Sequence, residues 1–445
     1  MQVKKLVLAL TAIVAAPSAF AAVVNIETGV TTDNIMYVTG ATAQTPSLVI
    51  ALGKLCTSAS TGAGTFDSYV DGQPVTKVGK AWKCTVPTTA TFGKLPGVTG
   101  SWIVYKNEGG SLGSITPLRN ASTVGQINPA TCDNATFVCA TALVAKPEYF
   151  GLSDVREELF GAKGQLVPRA GTLNNYTGAA TGGGQGFGIV ASPALLALLR
   201  TDQGLSPTAT PSISRQQYAT IMSSTSGIWQ NLLPNTALPT AAAPKTIILG
   251  RRGTTSGTQA SAEAFFLANP CSTGPLGGSG TPTLGTAAGQ NFPEGNVTLT
   301  VKQEGSSDAV LTEVSSTTAL ALGVVSLENN QTGKVWDYVA IDGTSAGVPA
   351  DFQKKNILNG TYDFAFETFL YKTALPPTTA IGNNITDFSN AILADLGDGA
   401  NLTTSYGLFM DPLSGLGGTN LNPLYPSLNH YSRQGNECAV STWQI

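Results

Sequence analysis

One arrangement of apolar and polar positions recurs along the chain: a short apolar run, a turn rich in Gly, Ser and Thr, then a segment with apolar residues at helical spacing. VVNIETG and NIMYVTG read as strands. The second runs into ATAQTPSLVIALGKL, where Pro46 opens a helix with Leu48, Ile50, Ala51 and Leu55 on its apolar side. The strand Trp102 to Tyr105 runs into Gly109, Gly110, Ser111, Gly113 and Ser114. EYFGLSDVREELF ends a short strand at Ser153 and Asp154, with a helix expected next, so on local grounds Asp154 is an N-cap. A glycine-rich stretch, Gly178 to Gly186, precedes the apolar strand Phe187 to Ala191 and a helix Pro193 to Leu199. Further on come a helix from Ser214 to Met222, the strand KTIILG, a Gly/Ser turn with a helix near Val310 to Val314, and an apolar strand from Gly323 to Leu327. WDYVAIDG, the aromatic alternation TYDFAFETFLYK and two weaker helices complete the series. Repeated strand, turn and helix units predict an α/β protein whose ligand sits outside the carboxyl ends of the strands.

The stretch RRGTTSGTQASAEAFFLA, from Arg251, carries the most chemistry. Ser256 followed by Gln259 is a capping-box pattern, and Ala260, Ala264, Phe265, Leu267 and Ala268 continue as a helix. The first N–H groups of a helix have no internal partner and carry the positive end of its dipole, so Gly257 and Thr258 offer donors to an anion. Arg252 can fold back over the same place with forked donors. Ala43, Gln44 and Thr45 form a second helix start of this kind. On the residues alone, a capped surface helix behind an exposed Arg pair and an ordinary α/β turn remain open alternatives.

Composition narrows the classes. Lys4 and Lys5, the apolar run Leu6 to Ala16 and the sequence Ala19-Phe20-Ala21 predict a secretory signal peptide over residues 1–21. The run is too short to span a bilayer, and no Cys follows it to carry a lipid, so no membrane span is expected in the mature chain. The formal charge is −3 with only 11% charged residues, and it becomes more negative once Lys4 and Lys5 are removed. That balance excludes a nucleic-acid groove or a polybasic membrane surface. Six cysteines in an exported chain predict three disulfides, for which fifteen pairings exist. Proximity favours Cys56–Cys84 and Cys132–Cys139, leaving Cys271–Cys438. With no C-x-x-C and one histidine, His430, no metal or cofactor is expected.

The order TGATAQTPSL, YKNEGGSLGSI, FGLSD, ISRQQYATIMSSTSGIW, RRGTTSGT, GSSDAV, ALGVVSL and WDYVAIDG resembles the phosphate-binding proteins of bacterial ABC uptake systems, the PstS type of periplasmic binding protein. RRGTTSGT and FGLSD are its specific pieces. The resemblance implies a two-lobed type 2 periplasmic binding protein fold, each lobe a mixed sheet flanked by helices. Crossings near Gly186 and Gly343 then give residues 22–185 with 344–445 as one lobe and 186–343 as the other. It also implies inorganic phosphate or a related oxyanion as ligand, contacted by Gln44, Thr45, Ser111, Asp154, Arg252, Ser256, Gly257 and Thr258, and an ABC permease as partner. Two positions depart from the family's pattern: the acidic residue two places after the binding Arg is Thr254 here, and the usual aromatic of the first turn is Thr45. Low charge, long Gly/Thr inserts and three disulfides are unlike an ordinary uptake receptor and suit a protein working outside the cell or at its surface, while the signal peptide alone implies a periplasmic or extracellular location.

Three rival functions fit parts of the chain. GGSLG (Gly109 to Gly113) and GTSAG (Gly343 to Gly347) match the hydrolase elbow, but fifty glycines make such matches cheap. Val348-Pro349 opposes a helix after the second, and His430 is the sole candidate base. A weak phosphatase on the same pocket lacks metal ligands and a nucleophile. A surface or adhesive protein that kept the fold and lost the ligand accounts for the Gly/Thr-rich surface. The expectation is a binding protein, not an enzyme.

Overall fold

A computed structural model of the chain describes residues 23–55, 66–73, 79–86, 100–163, 176–271, 289–329, 331–346, 355–373, 380–396, 408–410, 431–433, 437–438 and 442–443. The predicted signal peptide, Cys56 and His430 lie outside the described residues. In chain order the principal elements begin with β1 (Ile35–Gly40), which passes through a 3-10 turn, Thr42–Gln44, into α1 (Thr45–Leu55). Next are β2 (Phe66–Asp71), β3 (Gly79–Val86), β4 (Gly100–Asn107), α2 (Gly110–Gly113) and β5 (Phe150–Ser153). The middle of the chain forms β6 (Tyr176–Ala191), α3 (Pro193–Asp202), α4 (Arg215–Ser223), β7 (Lys245–Arg252) and α5 (Gly257–Leu267). Then come β8 (Gln290–Glu294), β9 (Val297–Glu304), α6 (Ser307–Val314), β10 (Leu320–Ser326), β11 (Asp337–Ile341), β12 (Ala365–Thr373) and α7 (Ala380–Leu396).

Strand pairing builds two mixed regions that share β6. The first runs β2–β3–β4–β1–β5–β12–β6, with β4, β1 and β5 mutually parallel and the rest antiparallel. The second runs β8–β9–β7–β10–β6–β11, with β9, β7 and β10 parallel. Parallel neighbours end at the same edge. The turns after β1, β4 and β5 therefore emerge together, as do those after β7 and β9.

The period-2 alternation of β1 splits its side chains between two cores. Met36 and Val38 pack under α1 and α7 with Trp102, Val104, Phe388 and Ile392, whereas Ile35 and Tyr37 pack on the other face with Tyr69, Ile103 and Tyr105. In the second region α6 covers Val190, Ala321 and Val325 through Val310 and Val314. The largest apolar cluster joins Leu249, Leu322 and Val324 to Leu195 and Leu199 of α3. It continues through Phe265 and Phe364 to Leu112, Ile115, Val155 and Phe369 of the first region. The two regions meet across a continuous apolar seam.

Helix starts are set by their caps. Ser192 accepts from the Leu195 N–H ahead of Pro193, and Ser214 and Gln217 close a full capping box. One strand is longer than expected: the glycine-rich stretch Gly178 to Gly186 belongs to β6 itself, which starts at Tyr176 rather than Phe187 and pairs there with β12. Its glycines serve close approach, since a Cβ on Gly178 would lie 2.6 Å from the Tyr371 ring. Of the two helices expected after β12, one is described, α7 with 17 residues, and most of the chain that follows it lies outside the described residues. Cys132–Cys139 and Cys271–Cys438 are bonded as expected, and Cys84 is disulfide-bonded too. No helix among the described residues is long and apolar enough to cross a membrane.

The α2 turn lies directly on β5. A Cβ on Gly151 would stand 2.0 Å from the Ser114 carbonyl oxygen and 2.6 Å from its Cβ, and the first of these is backbone that cannot rotate away. Gly151→Ala is expected to lower stability by about 3 kcal/mol, the upper part of the range for overpacking. Urea unfolding of the wild type and variant measures it, and an unchanged midpoint contradicts this packing.

Candidate functional site

Three turns at the carboxyl ends of parallel strands converge on one carboxylate. Gln44, fully buried in the turn after β1, donates from Nε2 to Asp154 Oδ1 at 3.3 Å. Ser111, in α2 after β4, donates from Oγ to Asp154 Oδ2 at 3.3 Å and accepts from the Asp154 N–H at 3.1 Å. Asp154 itself follows β5. Its carboxylate is thus taken up by residues more than forty positions away, and the segment after it is a 3-10 helix starting at Glu157, so the N-cap assignment is corrected. Burial pushes the Asp154 carboxyl above its ordinary range, while the Gln44 and Ser111 hydrogen bonds and the Arg252 charge pull the other way.

The second edge supplies the helix start predicted from RRGTTSGT. Ser256 is the N-cap of α5 and accepts from the Gln259 N–H at 3.5 Å. The box is only half formed, because the Gln259 side chain accepts from the Arg252 N–H at 3.1 Å and donates to Glu263 at 2.9 Å. The two arginines differ in role. Arg251 forms a buried ion pair with Glu263 at 3.1 Å, a structural contact beneath α5. Arg252 donates from Nη1 to Ser307 Oγ at 2.9 Å and from Nη2 to the Gly305 carbonyl at 3.1 Å, and the Asp154 carboxylate acts on its charge. The turn between β9 and α6 therefore orients the guanidinium, where the family pattern would have an acidic residue at Thr254. Arg252 Nε is buried without a partner, as is Gln44 Oε1.

The two edges touch. Leu112 N–H donates to the Thr255 carbonyl at 3.0 Å, and a Cβ on Gly257 would meet Ser111 Oγ at 2.2 Å and Asp154 Cβ at 3.0 Å. Only glycine fits there. An anion between these helix starts requires the edges to part.

Of the residues singled out from the sequence, Gln44, Ser111, Asp154 and Gly257 are in one cluster, with Arg252 acting on it electrostatically. Ser256 and Thr258 flank Gly257 and are buried. Thr45 diverges: its hydroxyl donates to Glu108, which also receives Lys80 at 2.7 Å, so only its backbone belongs to the turn. The sequence reading missed Lys106. It is fully buried at the end of β4 and donates to the Ala41 carbonyl at 2.9 Å, and its charge reaches Asp154. Arg252 is therefore not the only cation at the site. The signal was present, since alternation puts Lys106 on the same face as the buried Trp102 and Val104.

Hydrolase chemistry finds no support in these contacts. GGSLG lies on α2, and its serine is the buried Ser111 already engaged by Asp154. The end of GTSAG and the residues after it, from Gly347, lie outside the described residues. No group of three or more His, Cys, Asp or Glu able to hold a metal exists among the described residues.

No protein-family model matches the chain, and no curated protein matches it. Solved structures do. A high-affinity periplasmic phosphate-binding protein, PfluDING, bound with phosphate, is similar over 84% of this chain and 91% of its own at 13% identity and a TM-score of 0.40. An ABC-type phosphate transport receptor from Vibrio cholerae is similar over 82% and 98% at 11% identity and a TM-score of 0.37. PstS from Borrelia burgdorferi is similar over 82% and 97% at 12% identity and a TM-score of 0.33. The resemblance read from the sequence motifs recurs among these structures.

The raised Asp154 carboxyl gives a stability test. Between the ordinary carboxylate range and its raised value, the folded chain keeps a proton that the unfolded chain has released, so stability falls as pH rises through that window. Asp154→Asn lacks this loss. The variant is expected to melt above the ligand-free wild type at neutral pH, with the difference shrinking toward about pH 4. Calorimetric melting across that range decides it. A variant less stable at neutral pH, or a constant difference, contradicts the assignment.

Proposed function

We propose that the protein binds a tetrahedral oxyanion, inorganic phosphate in the first place, between the start of α5 and the turns after β1, β4 and β5. The observation that carries this reading is the buried Asp154 carboxylate, held by Gln44 and Ser111 and facing the Gly257 helix start and Arg252. Helix-start N–H groups and a guanidinium suit an anion. A carboxylate among them suits an anion that still carries a proton. The P–OH of phosphate donates to Asp154, whereas fully deprotonated sulfate has nothing to donate and leaves two negative charges facing each other out of water.

The ligand contacts proposed are Gln44, Ser111, Asp154, Arg252, Ser256, Gly257 and Thr258, with Thr45 contributing backbone alone. Residues 22–185 with 344–445 and residues 186–343 would act as two lobes that part along the contact between α2 and the Thr255–Gly257 turn. The expected setting is the periplasm or the cell exterior, with an ABC permease as the recipient of the ligand, and the role is binding rather than catalysis. A second reading, a surface or adhesive protein that keeps the fold without a ligand, is favoured by one observation: Gly257 packs directly on Ser111.

Titration with phosphate and sulfate separates the two. The wild type is expected to bind phosphate, and sulfate roughly a hundredfold more weakly, because one hydrogen bond to a buried charge is lost and replaced by repulsion. Arg252→Ala should lose most binding of either anion. Asp154→Asn should narrow the difference, since an amide can donate to an oxyanion without a proton. A wild type that binds neither anion, or both equally, transfers the conclusion to the surface-protein reading.

A further inference from the structure

Lys106 is a lysine with no exposed surface, which is rare because an ammonium leaves water at high cost unless it is paired. Its position is specific. The Nζ donates to the carbonyl of Ala41, the residue before the 3-10 turn that presents Gln44 and the start of α1. We propose that Lys106 is a positioning and charge-supplying residue of the anion site, one that pins the Ala41–Thr45 turn and sets a cation behind the Asp154 carboxylate. The inference rests on the oxyanion reading and adds a residue to it that no helix-start or Arg motif contains.

The charges around Lys106 show why its proton matters. Glu108, at the end of the same strand, lies 3.9 Å away but is shared with Lys80 of β3, which holds it at 2.7 Å and opposes the Lys106 charge. Glu148, ahead of β5, is buried and pushed well above the ordinary carboxyl range by desolvation, which weakens it as a counter-charge for Lys106. Asp154, after β5, is the remaining partner and is itself the group that must face a bound anion. Burial brings the Lys106 ammonium down to about 8, against the pull of Glu108 and Asp154.

An anion arriving at Asp154 favours the charged lysine, and by linkage a deprotonated lysine disfavours the anion. Phosphate affinity is therefore expected to fall as pH rises above about 8, approaching tenfold per pH unit, the limit for uptake of one proton. Above about pH 8 inorganic phosphate is mostly the singly protonated dianion, and the part of any slope that comes from its own ionisation is shared by the wild type and both Lys106 variants, so the lysine's part is the slope that the variants lack.

The test is calorimetric titration of the full mature chain with inorganic phosphate between about pH 7.5 and 9.5, on the wild type, Lys106→Met and Lys106→Arg. Near-isosteric methionine removes the charge and the Ala41 hydrogen bond; arginine keeps a charge throughout. The wild type should weaken by at least about tenfold across the range. Lys106→Met should bind more weakly at pH 7.5 with a flat profile, and Lys106→Arg should bind at pH 7.5 and also lose the slope. A flat wild-type profile, or a folded variant with the wild-type slope, overturns the role of Lys106 while leaving the oxyanion site standing. A wild type that binds no phosphate at any pH overturns both.

Discussion

A carboxylate taken out of water has to be held by donors or be protonated, and Asp154 is placed where donors from two other turns reach it. Gln44 and Ser111 reach it only because β1, β4 and β5 run parallel and release their turns at one edge. Shifting any of these strands by one residue would turn its last side chain to the other face and dissolve the cluster. The rest of the structure secures that register: α1 and α7 on one face of the first region, the Ile35, Tyr37, Tyr105 layer on the other.

The same logic holds across the seam. β7 and β9 release Arg252 and the Gly305–Ser307 turn at adjacent positions, so two neutral groups, a hydroxyl and a carbonyl, orient the guanidinium. Among the described residues no carboxylate takes a direct hydrogen bond from the guanidinium in this cradle, although Asp154 and other carboxylates act on its charge from further away. Continuous apolar packing from α3 and α5 to α2 and β12 keeps the two edges opposed. Glycine at 257 lets them meet.

Local periodicity made the architecture legible, because each strand, turn and helix is decided within about ten residues. β7, α5, α6 and the starts at Ser214 and Ser256 were all readable in this way. What escaped depends on partners distant in sequence. Asp154 looks like a cap until Gln44 and Ser111 are brought to it, the glycines of β6 read as a stretch ahead of the strand until β12 pairs with them, and Thr45 looks like a ligand group until Glu108 takes its hydroxyl. Lys106 was hidden for a different reason: a lysine at a strand end is ordinarily solvated, and only the alternation with Trp102 and Val104 marks it as buried.

The central claim is that a tetrahedral oxyanion occupies the contact between these two edges. A crystal structure of the mature chain grown in phosphate tests it most directly. The account predicts tetrahedral density within hydrogen-bond distance of Ser111, the Gly257 and Thr258 N–H groups and Arg252, with one anion oxygen on Asp154 and Gly257 withdrawn from Ser111. Density elsewhere, or Gly257 still packed on Ser111 at saturating phosphate, would contradict it.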